Sequence, residues 1–296
     1  MALFLWMTGA LASFCILAIG ARELSGELSI AQSLAIRSAI GLVFLSCVYF
    51  IRSLFFKDKR LKGVLNQPRH QVVKLHFFRN VFHFLAQYGW FFGIGLLPLA
   101  EVFALEFTVP IWTLLIASFF LNEKVTANKL IAIFLGTLGV IAIVQPGYAL
   151  IDYAAIVVLG SAICFAISHT TTKSLSKTES PLTILLFMCL IQLPIGLALS
   201  LSGWIWPQGE QWLWLVVIGL SALSAHFCLA KAMQYAEVTT IITLDFLRLP
   251  LIAMIGVIFY HEAFELPLLI GGGLMLIGNL IGIRDLTKKK TKAKNK

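Results

Sequence analysis

Charge is scarce in this chain. Only 12% of its 296 residues are Asp, Glu, Lys or Arg, while 59% are hydrophobic. Soluble globular domains carry about 25% charged residues and roughly 45–50% apolar residues. The composition therefore excludes an ordinary water-soluble domain, and the lipid bilayer is the first predicted partner of the chain.

Sequence motifs for catalysis, metal binding and nucleotide binding are also lacking. His261 is followed by Glu262, but no second histidine completes an HExxH zinc motif. The longest polar stretch, residues 52–74, is too short for an ATPase domain. The five cysteines lie in apolar stretches without metal-site spacing and are predicted to serve packing: Cys15, Cys47, Cys164, Cys189 and Cys228. We therefore predict no catalytic residue, no metal, no cofactor and no enzymatic activity.

Long apolar stretches fill almost the whole sequence. A membrane core about 30 Å thick needs roughly 20 apolar residues per helical span. The stretches predict an all-α integral membrane protein with ten transmembrane helices, near residues 1–20, 30–51, 75–97, 98–121, 128–145, 151–170, 181–200, 211–231, 238–260 and 266–284. Because no Lys or Arg precedes Arg22, the first stretch is predicted to be a retained helix and not a cleaved signal peptide.

Positive charges are distributed unevenly between the two predicted membrane faces. With the N-terminus inside, 19 of the 23 Lys and Arg residues fall on cytoplasmic turns or on the C-terminal tail. The outer turns hold only Arg22. The positive-inside rule then predicts a multi-pass protein of the bacterial inner membrane with both termini in the cytoplasm. This distribution also explains the net charge of +9 without nucleic acid as a partner.

An internal repeat relates two parts of the sequence. Residues 105–144 align without gaps with residues 244–283 at a constant offset of 139. Acidic residues within spans are rare, so the acidic matches are the informative ones. They are Glu106 with Asp245 and Glu123 with Glu262. Pro110 and Pro250 fall at nearly equivalent positions and can bend their spans.

The repeat predicts the domain organisation. Residues 1–145 and 151–284 each hold five predicted spans, and residues 285–296 form a basic cytoplasmic tail. Because five is odd, the two five-helix repeats must cross the membrane in opposite orientations. Inverted repeats are typical of secondary transporters, in which the substrate site lies near the midplane between the two halves.

Two segments resemble a known family. The segments PLAEVFALEFTVPIWTLLIASFFLNE and TLDFLRLPLIAMIGVIFYHE are similar to the fourth and ninth helices of the drug/metabolite transporter superfamily, in its ten-helix branch with two EamA domains. The resemblance covers nearly the whole chain. It implies a small-molecule carrier, since this branch includes amino-acid, amine, nucleotide-derivative and vitamin carriers. Some similar members carry S-adenosylmethionine or riboflavin.

Charged residues within the spans are the first candidates for a substrate-binding site. Asp245 and Arg248 are three residues apart and are predicted to pair on one helix face. Glu106 has no basic neighbour at helical spacing and needs a partner from another helix, for which Arg37 is the candidate. A substrate-binding role and a purely structural ion pair both remain open for these residues.

The third predicted span adds a polar stripe. Arg79, His83 and Gln87 recur at every fourth residue and should face into the bundle, although Arg79 could also extend to the cytoplasmic surface. His83 is either a titrating site residue or a hydrogen-bonded core histidine. Tyr88 and Trp112 are candidates for stacking on a planar or cationic substrate, with a lipid-facing position as the alternative.

These residues predict a secondary transporter that moves a small metabolite by alternating access. Amino acids, amines, S-adenosylmethionine and flavin-like compounds are the candidate substrates, and protons are a candidate coupling ion through Glu106 and His83. The alternative is a membrane-embedded subunit or enzyme without transport activity. The direction of transport is left open, and so is the choice between a monomer and a homodimer.

Overall fold

All regular elements that the structure describes are helices. The computed structural model describes residues 2–56, 70–97, 99–144, 153–260 and 266–294. Twelve α-helices lie in these ranges: α1 (Ala2–Glu23), α2 (Ile30–Phe56), α3 (His70–Leu96), α4 (Leu99–Glu106), α5 (Val109–Phe120), α6 (Ala127–Val144), α7 (Tyr153–Leu175), α8 (Pro181–Ser200), α9 (Glu210–Ala232), α10 (Val238–Leu244), α11 (Arg248–Tyr260) and α12 (Leu266–Lys294). Short 3₁₀ turns occupy Leu201–Gly203 and Asp245–Leu247.

Several helices have the length and composition of membrane spans. Among the described residues, five helices are long and apolar enough to cross a bilayer, and they are α1, α2, α7, α8 and α9. Shorter apolar helical stretches lie in α5, α6 and α12. Helix α3 has 27 residues but carries the polar stripe, which lowers its mean hydropathy. The chain is an all-helical, multi-pass membrane protein.

The distribution of side chains is inverted relative to a soluble protein. Large apolar side chains cover the outside, as at Phe119, which is 80% exposed, and Leu201, which is 75% exposed. Polar side chains fill the inside, where Arg37, Arg79 and His83 are at most 3% exposed. Each buried polar group needs a partner inside the bundle, because the hydrocarbon supplies none.

The two halves of the chain interleave. The most extensive helix pairings join α6 with α12, α1 with α9, α3 with α7, and α2 with α8. Each of these pairs takes one helix from the first half of the sequence and one from the second. The core therefore lies between the halves, and neither half packs as a separate bundle.

Glycines bring two of these helices into backbone contact. A Cβ atom at Gly139 of α6 would lie 2.7 Å from the carbonyl oxygen of Gly271 in α12. A Cβ atom at Gly278 would lie 3.0 Å from the carbonyl oxygen of Ala132. Small residues at such crossings allow the close van der Waals packing that holds membrane helices together.

Two of the predicted spans are broken helices and not continuous ones. The predicted helix over 98–121 is interrupted between α4 and α5, and the one over 238–260 changes to a 3₁₀ turn between α10 and α11. Pro110 and Pro250 explain both interruptions. A proline has no N–H for the carbonyl four residues earlier, which belongs to Glu106 in one case and Phe246 in the other. Each interruption thus begins about one turn before the proline ring.

Candidate functional site

A cavity lies where the two broken helices meet. Its walls come from α1, α2, α3, α7 and α9 together with both interrupted segments. Four charged side chains line it, and they are Arg37, Glu106, Asp245 and Arg248. Gln87, His169 and His226 add further polar groups, and the aromatic rings of Phe14, Trp90, Phe91, Phe107 and Phe165 complete the wall.

An ion-pair cluster at the breaks is the main polar feature of this cavity. Arg248 Nη2 lies 2.5 Å from Glu106 Oε1 and 3.0 Å from Asp245 Oδ2. Trp90 Nε1 donates a hydrogen bond of 2.7 Å to the second oxygen of Glu106. The predicted pairing of Asp245 with Arg248 is confirmed. The cluster carries one more negative than positive formal charge.

The environment of Arg248 is aromatic as well as ionic. Its guanidinium carbon lies 5.1 Å from the ring centre of Phe14, 5.5 Å from that of Phe107 and 6.0 Å from that of Phe103. Rings at these distances attract a cation through their quadrupoles, and the attraction is stronger where water is excluded. Arg248 is therefore fixed from several sides, as its 6% exposure indicates.

Arg37 is not the partner of Glu106, which corrects the pairing suggested by the sequence. Its Nη2 atom donates to Gln87 Oε1 and to Gln192 Oε1, each at 2.8 Å. Glu106 lies on α4, while Arg37 and Arg248 lie on other helices, so sequence spacing alone could not determine its partner. In the fold, the second helix break brings Arg248 to that carboxylate, and α2 places Arg37 against α3 and α8.

His83 lies directly behind the cavity wall, next to the amides that hold Arg37. Its Nδ1 atom is 2.8 Å from Gln192 Nε2, and its ring centre is 4.6 Å from that of His226. The predicted inward orientation of the polar stripe on α3 is confirmed, since His83 is 0% exposed and Gln87 is 5% exposed. His83 therefore supports the wall residues and is not itself part of the lining.

Arg79 also lies inside the bundle. It donates to Thr172 Oγ1 at 3.0 Å and to Asn80 Oδ1 at 2.6 Å, and it is only 2% exposed. The alternative in which Arg79 extends to the membrane surface is therefore wrong. A hydroxyl on α7 and an amide on α3 hold its guanidinium where the hydrocarbon would otherwise leave it unsolvated.

Tyr88 and Trp112 are placed away from this cavity. Tyr88 follows Gln87 by one residue, so it points about 100° away around the helix, is 39% exposed, and lines a separate depression beside the α1–α2 turn. Trp112 donates to Thr108 Oγ1 at 3.3 Å and packs on an apolar cluster around Val109. Neither ring lies in the wall of this cavity, where the sequence suggested that they stack on a substrate.

Gln192 is a polar residue behind the cavity wall that the sequence analysis did not identify. It is fully buried and connects Arg37 to His83. The sequence signal was a single amide in the apolar stretch LLFMCLIQLPIGL of α8. A lone glutamine within a membrane helix needs hydrogen-bond partners on neighbouring helices, and that requirement alone would have marked it.

A second polar cluster joins the two halves beyond the cavity. Glu123 accepts hydrogen bonds of 2.8 Å from the backbone N–H of Val238 and from Thr239 Oγ1, at the start of α10. Lys129 lies 2.7 Å from Glu237 and 3.4 Å from Glu123. The carboxylate thus caps a helix N-terminus, where negative charge is favoured. The matching position in the repeat, Glu262, lies outside the described residues.

The fold and the cavity together define a membrane transport protein. Interrupted helices that meet at a polar cavity within a helical bundle are the usual construction of transporter sites. The chain belongs to the EamA-like transporter family, whose profile matches residues 1–145 and 152–283.

Individual relatives resemble the chain over much of its length. It is 29% identical to a riboflavin transporter of Rhizobium johnstonii over 97% of this chain and 93% of the relative. It is 24% identical to the S-adenosylmethionine uptake transporter of Rickettsia prowazekii, with 75% of each chain aligned. A solved crystal structure that is 17% identical matches the fold with a TM-score of 0.77, covering 96% of this chain and 97% of the other.

Proposed function

We propose that this protein is a secondary transporter that carries a small metabolite across the bacterial inner membrane by alternating access. The observation that carries the proposal is the Glu106–Arg248 ion pair, which is buried at the junction of two interrupted helices and lines a cavity with aromatic walls. Charged groups at such a position are costly in a membrane and are usually retained for function.

An architecture of ten spans in two inverted repeats, residues 1–145 and 151–284, is part of this proposal. The helix interruptions support it, because Glu106 and Asp245 stand at the two breaks and are separated by the repeat offset of 139. The helix pairings support it too. Exchanging the halves turns the α1–α9 pairing into the α7–α3 pairing and leaves α2–α8 and α6–α12 unchanged, as a two-fold axis between the halves requires.

The proposed orientation places both termini and the basic tail, residues 285–296, in the cytoplasm. The charge bias supports this orientation, since a single basic residue, Arg22, falls on the predicted outer turns. Fusion of a reporter that is active only in the cytoplasm to the C-terminus should give full activity. Fusion of the same reporter after residue 205, in the turn between α8 and α9, should give none.

The proposed substrate is a small metabolite with a heteroaromatic ring. Two facts support this class. The cavity wall contains five aromatic side chains, and rings of this kind stack on planar ligands. The two relatives are named for riboflavin and S-adenosylmethionine, both of which contain a heteroaromatic ring system. An amino acid or a simple amine would use the charged groups but leave most of the aromatic wall unused.

The cavity residues are assigned distinct parts in this proposal. Glu106, Asp245 and Arg248 bind polar groups of the substrate, while Arg37 and Gln87 line another part of the same cavity. His83 orients the amides behind the wall. Glu106 is also the proposed site of proton coupling, because its protonation would remove half of the ion pair with Arg248.

Uptake into proteoliposomes tests the proposal. Full-length protein should accumulate or equilibrate labelled riboflavin or labelled S-adenosylmethionine above the rate of empty vesicles, and the Glu106→Gln variant should not. An imposed pH gradient should change the rate if a proton is coupled, whereas an unchanged rate indicates facilitated diffusion. Failure to move any compound of a broad metabolite panel would favour the alternative of a membrane subunit or enzyme without transport activity.

A further inference from the structure

We propose that Arg37 forms a subsite for an anionic oxygen of the substrate, so that the transported compound carries a carboxylate or a phosphate. The inference rests on the proposed transport function and adds a charge requirement to it. Three observations support it: Arg37 lines the cavity and has a guanidinium donor without an acceptor, the charge around that donor is unbalanced, and the guanidinium group is rigidly supported.

The guanidinium group of Arg37 has a donor without an acceptor. The residue is only 3% exposed and lines the cavity. Its Nη2 atom is used twice, by Gln87 and by Gln192. Its Nη1 atom is buried and has no hydrogen-bond partner among the residues that the structure describes. A buried charged donor in this condition is unfavourable until a ligand supplies an acceptor.

The charge of Arg37 is also unbalanced. Within the described part of the chain, no carboxylate lies within ion-pair distance of Arg37 or Arg79. Both acceptors of Arg37 Nη2 are neutral amide oxygens, which satisfy hydrogen bonds but leave the formal charge in place. A buried cation of this kind is stabilised most by an anion, and the cavity is the space from which an anion can approach.

The cluster at the helix breaks cannot supply that anion from the protein. Its two carboxylates are both engaged with Arg248, at 2.5 Å for Glu106 and 3.0 Å for Asp245. Arg248 Nε also lacks an acceptor, but the charge of that guanidinium is already balanced. An anionic ligand group would be repelled by the net negative charge there, so Arg37 is the favoured contact.

The support of Arg37 fixes its orientation before a ligand arrives. Gln87 comes from α3 and Gln192 from α8, so two helices hold the same nitrogen atom. His83 holds Gln192 from behind, at 2.8 Å. A donor held in this way loses little freedom on binding, which is the condition under which one charged hydrogen bond changes affinity strongly.

The lining of the cavity therefore contains complementary polar groups. Asp245 Oδ1 has no hydrogen-bond partner among the described residues, so the cluster at the helix breaks offers a free acceptor opposite in character to Arg37 Nη1. A dipolar metabolite satisfies both atoms when its anionic group is at Arg37 and its cationic or N–H group is near Asp245. A neutral flavin would leave the charge of Arg37 unmatched.

Two matched pairs of compounds test the inference on the full-length protein in proteoliposomes. S-Adenosylmethionine is compared with its decarboxylated form, and riboflavin 5′-phosphate is compared with riboflavin. The member of each pair with the anionic group should compete better for uptake of labelled substrate. The preference should be roughly tenfold to a hundredfold in half-inhibitory concentration for whichever pair is transported.

Variants at Arg37 connect the preference to this residue. Arg37→Gln should abolish the discrimination within the pair, and Arg37→Lys should restore part of it because the positive charge is retained. Arg79→Gln is the matched control, because it removes a buried guanidinium group that already donates to Thr172 and Asn80. This variant should keep the discrimination within the pair. Gel filtration and thermal unfolding establish that each variant is folded.

The outcomes separate the inference from the function on which it rests. If a pair is transported and the member without the anionic group competes equally well or better, the Arg37 subsite is overturned. The transporter proposal then still stands. Discrimination that survives in a folded Arg37→Gln variant also overturns the Arg37 subsite. If neither these compounds nor any compound of the broad metabolite panel is transported, the proposed function fails and the subsite fails with it. If the only compounds transported lack an anionic group, the subsite alone fails.

Discussion

Glu106 and Arg248 are 142 residues apart in the sequence and are joined by a salt bridge of 2.5 Å. Glu106 is the last residue of α4, and Arg248 is the first residue of α11. The bridge thus connects the two helix interruptions, one from each half of the chain. Any movement that separates these segments must break this bond or replace it with another partner.

Removing the charge of Glu106 should affect both stability and transport. In Glu106→Gln, Arg248 keeps only Asp245 as an ionic partner, and breaking a buried pair costs about 3–5 kcal/mol. Because Asp245 remains, we expect a loss near the lower end of that range in the free energy of unfolding, measured by denaturant titration in detergent. Uptake should fall at least tenfold and approach the rate of empty vesicles, and a tenfold fall corresponds to about 1.4 kcal/mol.

Glu210 provides a matched control for that experiment. It is an exposed carboxylate in the first turn of α9, so Glu210→Gln should lower the free energy of unfolding by no more than about 1 kcal/mol and leave the uptake rate at the wild-type value. Wild-type transport by Glu106→Gln in a folded sample would contradict the role given to the ion pair.

Trp90 should matter through its single N–H group. Its indole nitrogen donates to Glu106 Oε2 at 2.7 Å, and the ring is 6% exposed. Trp90→Phe keeps an aromatic ring but leaves one oxygen of a buried carboxylate without this donor, which costs about 1–3 kcal/mol. Thermal unfolding should report the loss. Trp212→Phe, at a ring that is 42% exposed, should show no comparable shift, and equal shifts in both variants would argue against this explanation.

The contact between α6 and α12 should be sensitive to one methyl group. In Gly139→Ala, the new Cβ atom would lie 2.7 Å from the backbone oxygen of Gly271, which cannot move without displacing its helix. Overpacking of this kind costs about 1–3 kcal/mol. The thermal midpoint of the purified protein should fall.

Gly160 is the control for this substitution. A Cβ atom there meets nothing within 4 Å, so Gly160→Ala should be neutral or stabilising by up to about 1 kcal/mol through helix propensity. A lower midpoint for Gly160→Ala than for Gly139→Ala would show that the helix contact is not the cause.

The Glu123 cluster should hold the start of α10 against the turn after α5. Glu123→Ala removes the acceptor for Val238 N–H and Thr239 Oγ1 and should cost about 0.5–2 kcal/mol, as loss of a helix cap does. Glu123→Gln keeps an amide oxygen and should lie between the alanine variant and wild type. Denaturant unfolding measures the order, and an alanine variant as stable as wild type would exclude the capping role.

Local spacing predicted part of this site correctly. The Asp245–Arg248 pair and the inward face of α3 follow from helical geometry alone, because residues three or four positions apart share a face. The family resemblance and the membrane class also followed from sequence. All of these features depend on neighbours along the chain or on composition.

The errors concern relations that local spacing does not define. Arg37 and Arg248 are both cations within spans, and only the packing of α4 against the second break decides which one reaches Glu106. Tyr88 lies outside the cavity, and the aromatic character of a residue could not predict this because it does not define the direction of the ring around the helix. Gln192 was missed because its importance depends on Arg37 and His83, which come from other helices.

The carboxylate of Glu106 is buried between Arg248 and Trp90, and this affects the free energy of exchanging its partners. Transferring a carboxylate from water into a buried site costs several kcal/mol. In this protein, the desolvation of Glu106 takes place when the chain folds. In the proposed transport cycle, a substrate that binds Glu106 would replace protein donors, so binding need not include the full dehydration of this carboxylate.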